Sequence, residues 1–429
     1  MKILIVGGGG REHALAWKAT QSKGVTQVFV APGNAGTALE DGIENVDIGA
    51  EDINALIAFA QQEQITLTIV GPEAPLVTGI VDQFNAEGLR CFGPSQAAAQ
   101  LEGSKVFCKD FFARHNIPTA AYQNFTEVEP ACDYVRQQGT PIVIKADGLA
   151  AGKGVIIAQT EAEAFETIND MLAGNAFGEA GHRVVIEEFL EGEEASFIVI
   201  ANGAQALPMA TSQDHKARDN GDLGPNTGGM GAYSPAPVVT PKIHQQIMDN
   251  IIQPTLDGMI KDGTPYSGFL YAGVMIDKKG IAKTLEFNCR FGDPETQPIM
   301  MRLKSDLVEL CNAAIDNRLD KTTSEWDERS ALGVVLAAGG YPFHYDKGDT
   351  INGISSTTED GKVFHAGTAF NKDNVVTQGG RVLCACALGG SISEAQQKAY
   401  KITEQIQWNN VYYRTDIGYR AIARENTGT

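Results

Sequence analysis

Apolar residues in the first hundred positions switch between two spacings. Residues 2–6 (KILIV), 26–32 (TQVFVAP) and 67–73 (LTIVGPE) are short apolar runs with the length of buried strands. Residues 52–64 (DINALIAFAQQEQ) instead repeat their apolar positions at helical spacing. LRCFGP, at 89–94, closes the series. Strands alternating with helices predict a doubly wound parallel sheet, whose ligands gather beyond the carboxyl ends of the strands.

Farther on the pattern changes. A helix over 104–116 (SKVFCKDFFARHN) leads to a strand (PIVIKAD), a glycine loop, a strand (GVIIAQ), a helix (EAEAFETINDML) and a strand (RVVIEEFL). This is a small α+β unit of roughly 70 residues. Long strands separated by a helix follow to about residue 317. The last hundred residues carry three strand-like runs, ALGVVLAAGG, KVFHAGTAF and RVLCACALGG, and a helix over EAQQKAYKITEQIQ. The expected division is 1–103, 104–190, 191–325 and 326–429, an α/β and α+β multidomain chain ending in a small α+β domain. Two to four domains also suit 429 residues.

Composition narrows the function. The net charge of −19 disfavours nucleic acid and anionic membranes as partners, and no basic run offsets it. Seven cysteines without paired spacing argue against a disulfide framework. The apolar start stops at glycines and lacks a signal peptide's longer core, so a cytoplasmic location is expected. The 47 glycines gather in particular loops, which directs attention to phosphate.

Six segments could carry chemistry. In TLEFNCRFGDPE, Glu286 and Asn288 are two apart on a predicted strand and share a face, a pairing that suits a hard cation. GGGGREHAL (7–15) joins a strand to a helix, where backbone N–H groups and the helix dipole favour an anion. It fits a dinucleotide fingerprint poorly, because the third glycine falls on Glu12 or His13. In GPEAPL (71–76), Glu73 between two prolines is a stiffly held acceptor. KADGLAAGKGV (145–155) places Lys145 at a strand end before a glycine loop containing Lys153; a strand follows, so it is a flap and not a Walker loop. VVIEEFLEGEEASF (184–197) supplies the apolar walls and carboxylates of an adenosine pocket. A long polar loop over 212–237 adds Asp214, His215 and Lys216.

Taken in order, these segments resemble the ATP-grasp ligases, and more closely the phosphoribosylamine–glycine ligase (glycinamide ribonucleotide synthetase) family. The resemblance runs end to end and is most specific in QDHK…GPNTGGMGAYSPAP and LEFNCRFGDPET. It implies an ATP-grasp pair of domains behind the first sheet. It also implies the purine-biosynthetic ligation of glycine to 5-phosphoribosylamine through a glycyl phosphate, with ATP and Mg²⁺ or Mn²⁺. By this resemblance Lys105 and Lys145 contact ATP phosphates, and Gly152, Lys153 and Gly154 belong to the lid. Glu187, Phe189 and Leu190 line the adenine site, with Glu193 on the ribose. Glu286 and Asn288 hold the metal. Arg290 and Lys145 are the catalytic cations. Gly9, Gly10, Arg11 and Glu73 meet phosphoribosylamine, and Asp214, Lys216 and Arg290 face substrate. The partners implied are small molecules, with a transient hand-over from the enzyme that makes phosphoribosylamine. The family's QDHK is followed by Arg, where this chain has Ala217 and then Arg218, so no role is carried over for that arginine. Three other readings stay open: an ATP-grasp ligase with another acceptor, a nucleotide-binding oxidoreductase, and a non-catalytic nucleotide sensor.

Overall fold

The computed structural model of the protein describes residues 1–148, 154–173, 183–354 and 358–427. Its first sheet has strands β1 (Lys2–Gly7), β2 (Gln27–Pro32), β3 (Ile43–Asn45), β4 (Leu67–Val70) and β5 (Cys91–Phe92). All neighbours are parallel, in the order β3-β2-β1-β4-β5. Helices α1 (Gly10–Thr20), α2 (Ile53–Glu63), α3 (Glu73–Val77) and α4 (Ile80–Ala86) connect or flank these strands. Successive side chains alternate across a strand. Leu4, Val6 and Phe29 therefore pack on α2 and α4, while Ile3, Ile5, Val28 and Val30 pack on α1. The chain switches direction at β1 and β4, which is where α1 and α3 begin.

Helices α5 (Gln100–Gly103) and α6 (Lys105–His115) lead out of this sheet. Ser104 starts α6 by accepting the Phe107 N–H at 3.1 Å, and Asn116 ends it in the left-handed conformation. Next come β6 (Tyr122–Phe125), β7 (Ile142–Ala146), β8 (Val155–Ala158) and β9 (Val184–Glu188), an antiparallel sheet ordered β6-β9-β7-β8. Helices α7 (Val128–Gln138) and α8 (Glu161–Leu172) cover its apolar face through Val135, Ala164 and Ile168.

The central sheet contains β10 (Glu193–Asn202) and β11 (Gln205–Pro208). The stretch expected as one long loop holds four short strands, β12 (Gln213–Asp214), β13 (Ala217–Asp219), β14 (Leu223–Asn226) and β15 (Gly231–Ser234). They are only two to four residues long, so they show no alternation to read. β16 (Ser267–Ile276) and β17 (Ala282–Asn288) complete the central sheet, ordered β11-β10-β16-β17. Both faces are covered. Phe197, Val199, Leu270, Ala272 and Phe287 pack on α6 and on the helices Pro241–Ile247 and Gln253–Lys261. Ile198 and Ile200 share a core with the first sheet and the helix Leu307–Ile315.

The C-terminal strands are β18 (Ser330–Ala337), β19 (Gly361–His365), β20 (Thr368–Asn371), β21 (Asn374–Thr377) and β22 (Arg381–Gly389). KVFHAGTAF, expected as one strand, is broken into β19 and β20. β20 leaves to form a hairpin with β21. The sheet is ordered β12-β15-β18-β22-β19, so two strands from the polar stretch become its first members. The helix Ile392–Thr403 covers it. No helix among the described residues is long and apolar enough to cross a membrane, and all seven cysteines are free and buried.

A buried polar lock joins the first sheet to the last. Asn34 Nδ2 donates to the carbonyls of Gly8 and His365, both at 2.9 Å. His13 Nδ1 accepts the His365 N–H at 2.8 Å, and its Nε2 lies 3.0 Å from Glu40. Glu40 also meets Lys362, which is buried on β19. Burial opposes ionisation of Glu40, but His13 and Lys362 outweigh it and hold the carboxyl at about 2, below its ordinary 4.5. The lock therefore stabilises fully above the ordinary value and is lost as pH falls towards 2. Replacing Glu40 with Gln removes the charge that faces buried Lys362 and should cost about 3 kcal/mol at pH 7. The difference from the unaltered protein should shrink below pH 4.5, as followed by denaturant unfolding across pH. A difference that does not change with pH would refute this account.

Candidate active site

One row of residues across the central sheet sets the position of the site. Ser196 on β10 is opposite Gly273 on β16, which is opposite Glu286 on β17; in the next row Ile198, Tyr271 and Asn288 align. Phe287, between the two acceptors, points the other way into the core, where it meets Phe112 edge-on at 5.3 Å. A strand anchored by its buried face thus projects Glu286 and Asn288 from the opposite face. They enter a cleft of about 460 Å³ whose walls come from all four large sheets and their loops. That volume is ordinary for a small-molecule site.

At one end the cleft is apolar, lined by Val143, Ile157, Phe189, Leu190 and Met275. Beside this end Glu187 on β9 is shared by two lysines, with Lys145 on β7 and Lys109 on α6 each 2.9 Å from one of its oxygens. All three side chains are buried. Burial opposes the charge on Lys145, yet Glu187 and Glu286 outweigh it and hold the ammonium above its ordinary value. For Lys109 and Lys105 burial prevails and lowers them. Lys105 Nζ donates to the Gly148 carbonyl at 2.9 Å. The three form a cationic floor next to an apolar slot, an arrangement suited to a nucleotide's phosphates and base.

Glu286 and Asn288 lie beyond this floor. Burial favours a neutral Glu286, but Lys216, Lys145, Lys105 and Arg290 together hold its carboxyl below the usual range. Among the described residues no side-chain hydrogen bond engages either acceptor. One ionised carboxylate and one amide oxygen, free to coordinate and facing the phosphate floor, fit a hard divalent cation that takes its other ligands from phosphate and water.

The far end is crowded with charge. Arg290 Nη2 lies 2.9 Å from Glu102, and its Nε lies 3.3 Å from Glu73. Lys216 reaches Asp214 at 2.9 Å and Glu194 at 3.2 Å. Ser196 Oγ donates to Glu295 at 2.9 Å and touches the Tyr271 hydroxyl at 3.0 Å. Burial pushes both Glu194 and Glu295 up, with Lys216 opposing.

The cleft brings together Arg11, Glu73, Lys105, Lys145, Gly154, Glu187, Phe189, Leu190, Asp214, Lys216, Glu286, Asn288 and Arg290. Gly152 and Lys153 lie outside the described residues. Three other expected residues are placed away from it. Gly9 donates its N–H to Glu12 Oε2 at 2.6 Å, so the start of α1 is capped by its own carboxylate. Gly10 packs on Gln297, which a β-carbon there would meet at 2.5 Å. Glu193 forms a two-point pair with Arg424, at 2.8 and 2.6 Å. Its neighbour Glu194 lines the cleft instead, because adjacent strand residues face opposite ways. Arg218 is paired with Asp219 at 2.8 Å and does not line the cleft.

Comparison with known proteins agrees with this geometry. Family models described as phosphoribosylglycinamide synthetase N domain, ATP-grasp (A) domain and C domain match residues 1–102, 103–296 and 331–420. The chain belongs to the phosphoribosylglycinamide synthetase family. Phosphoribosylamine–glycine ligase of Vibrio vulnificus is 67% identical over 426 residues, covering 99% of each chain. The Salmonella typhimurium protein of the same name is 67% identical over 427 residues, 99% of this chain and all of that one. The crystal structure of phosphoribosylamine–glycine ligase from Thermotoga maritima superposes with a TM-score of 0.83 at 35% identity, over 97% of this chain and 100% of that one. A Campylobacter jejuni biotin carboxylase shares the fold alone, with a TM-score of 0.74 at 14% identity over 96% of this chain and 92% of that one.

Several residues of this family member's cleft escaped the sequence reading. Glu194 was within reach, had the strand phase of EGEEASF been set from Ser196. Asp293 and Glu295 sit inside a quoted motif but had no assigned role. Glu102, Tyr341 and Arg381 carry no local signal. Burial, opposed in part by Arg290, pushes Glu102 up to about 7. The charged form grips Arg290, so kcat/KM should fall as pH drops through 7. Glu102→Gln, uncharged at every pH, should lose that limb and run roughly tenfold lower on the alkaline side. Paired pH profiles test this; an identical limb in the variant would assign the titration to another group.

Proposed function

We propose that this cleft joins glycine to 5-phosphoribosylamine at the expense of ATP, giving glycinamide ribonucleotide, ADP and phosphate. The chain is an ATP-dependent carboxylate–amine ligase of purine biosynthesis. The observation that carries the reading is the order of the cleft: an apolar slot, a lysine floor, a pair of hard acceptors and a charged far end in one cavity.

In this reading the slot at Phe189 and Leu190 takes the base, and Lys105 and Lys145 take the phosphates. Glu286 and Asn288 would hold a divalent cation, Mg²⁺ or Mn²⁺, which when bound supplies charge neutralisation at the transferring phosphoryl group. A glycine carboxylate oxygen bonds to the γ-phosphorus as ADP departs. The amine nitrogen then attacks the glycyl phosphate carbonyl, and the C–O bond to phosphate breaks. Lys145 and Arg290 supply fixed positive charge along this path, where phosphoryl transfer depends on positioning and electrostatics. Asp214, Lys216 and Arg11 face the acceptor end. Cys108 also lines the cleft, but burial pushes its thiol up to about 12, which removes it as a nucleophile at neutral pH. A cytoplasmic setting belongs to the same proposal and suits seven free cysteines. So does direct receipt of phosphoribosylamine from the enzyme that makes it.

Phosphate release from ATP and Mg²⁺ tests the reading, with glycine and phosphoribosylamine added singly and together. Rapid release only with both, alongside glycinamide ribonucleotide, is expected. Release with a different amino acid would change the substrate and keep the mechanism. Nucleotide binding without turnover would favour a sensor. Glu286→Ala should lower turnover by roughly a thousandfold while thermal unfolding is retained, because a bound cation contributes several kcal/mol to the transition state. Full turnover in that variant would remove Glu286 from the metal site.

A further inference from the structure

Arg381 is the first residue of β22, far in sequence from every motif of the cleft, yet its guanidinium lines the cavity. It does not reach into open space. Nη1 donates to the carbonyl of Gly228 and, at 2.7 Å, to the carbonyl of Asp293. Nη2 lies 3.4 Å from the Asp293 carboxylate. One side chain thus ties the Gly228–Gly229 loop to the turn that follows Arg290.

The loop is shaped for this contact. A β-carbon on Gly228 would come within 2.9 Å of the Arg381 guanidinium carbon. Gly229 has φ +112°, and a β-carbon there would strike Pro294 at 2.4 Å. Gly229 therefore has room for no side chain, and one on Gly228 would have to displace the Arg381 guanidinium. Tyr341, in the turn that follows β18, accepts the Gly228 N–H at 3.1 Å. The loop in turn holds the acceptor end, because Thr227 N–H donates to the Lys216 carbonyl at 2.7 Å and Met230 N–H to the His215 carbonyl at 2.8 Å.

We propose that Arg381 is a positioning residue through which the C-terminal sheet completes the acceptor end of the cleft. It sets the separation between the Asp214–Lys216 segment and the Arg290 turn, and so aligns the amine with the glycyl phosphate. The proposal rests on the ligase reading above. Loss of alignment leaves the phosphorylation end intact, so the acyl phosphate would form and be taken by water, its C–O bond to phosphate breaking as hydroxide replaces the amine.

The test is the ratio of phosphate released to glycinamide ribonucleotide formed, in the full-length protein and in Arg381→Lys, Arg381→Met and Gly228→Ala. The three variants should raise that ratio above the unaltered protein's, and should lower kcat/KM for phosphoribosylamine by roughly a hundredfold. KM for ATP and thermal unfolding should stay near the original values. Full coupling with unchanged kcat/KM would overturn the assignment. A proportional loss of ATP binding and thermal stability would also overturn it, by showing a general structural role. If the unaltered protein forms no glycinamide ribonucleotide, the ligase reading itself fails first.

Discussion

A site for polyphosphate must hold several cations in one cleft before any phosphate arrives, and a buried unpaired charge costs several kcal/mol. Much of this fold answers that constraint. Lys109 and Lys145 share Glu187, Arg290 lies between Glu73 and Glu102, Lys216 meets Asp214 and Glu194, and Arg381 meets Asp293. The partners come from different elements. Glu73 begins α3, Glu102 lies on α5 and Arg290 follows β17, so compensating one charge also fastens the first sheet to the central one. The pairs that keep the empty cleft folded are thus the pairs that fix its geometry.

Such a site works by exchange of partners. Lys145 is held ionised by Glu187 and Glu286, so in the proposed reading a phosphate would compete for an ammonium whose charge is already established. Fixed charges need not reorganise when negative charge develops, which is where electrostatic catalysis gains most. Glu286 is the informative exception. Its charge is sustained by four cations at longer range and it makes no ion pair within 4 Å among the described residues. A carboxylate kept ionised with no hydrogen-bond donor of its own among the described residues suits the cation proposed for it.

How much of this was legible follows from the distance over which each feature is encoded. Strands of four or more apolar residues, and helices with the 3.6 period of α2, are local and were readable. So was the Glu286–Asn288 pair, because strand alternation is a rule about neighbours. At Glu193 and Glu194 the same alternation separates neighbours: Arg424 pairs with Glu193, and Glu194 faces the cleft. Gly9 and Gly10 look like a phosphate loop, but Glu12 caps the helix start from within. The capping carboxylate is only three residues away in sequence, but its contact with Gly9 N–H shows only in the structure. Of the strands in 213–234, β15 is fixed by β18, a hundred residues on, β12 by β15, and β13 by β14, and no run of apolar residues marks them.

The acidity of the whole chain is the last point to reconcile, since a net charge of −19 should repel ATP. Screening decides between the two scales. At physiological salt exposed charges act over roughly 8 Å, so most surface carboxylates contribute little inside the cleft. Within it the relevant cations are buried, and buried charges are screened far less. Long-range charge therefore bears on solubility and on which macromolecules stay away, while in the proposed reading recognition of phosphate falls to the lysine floor, Arg290 and the acceptors of β17, which act over a few ångströms.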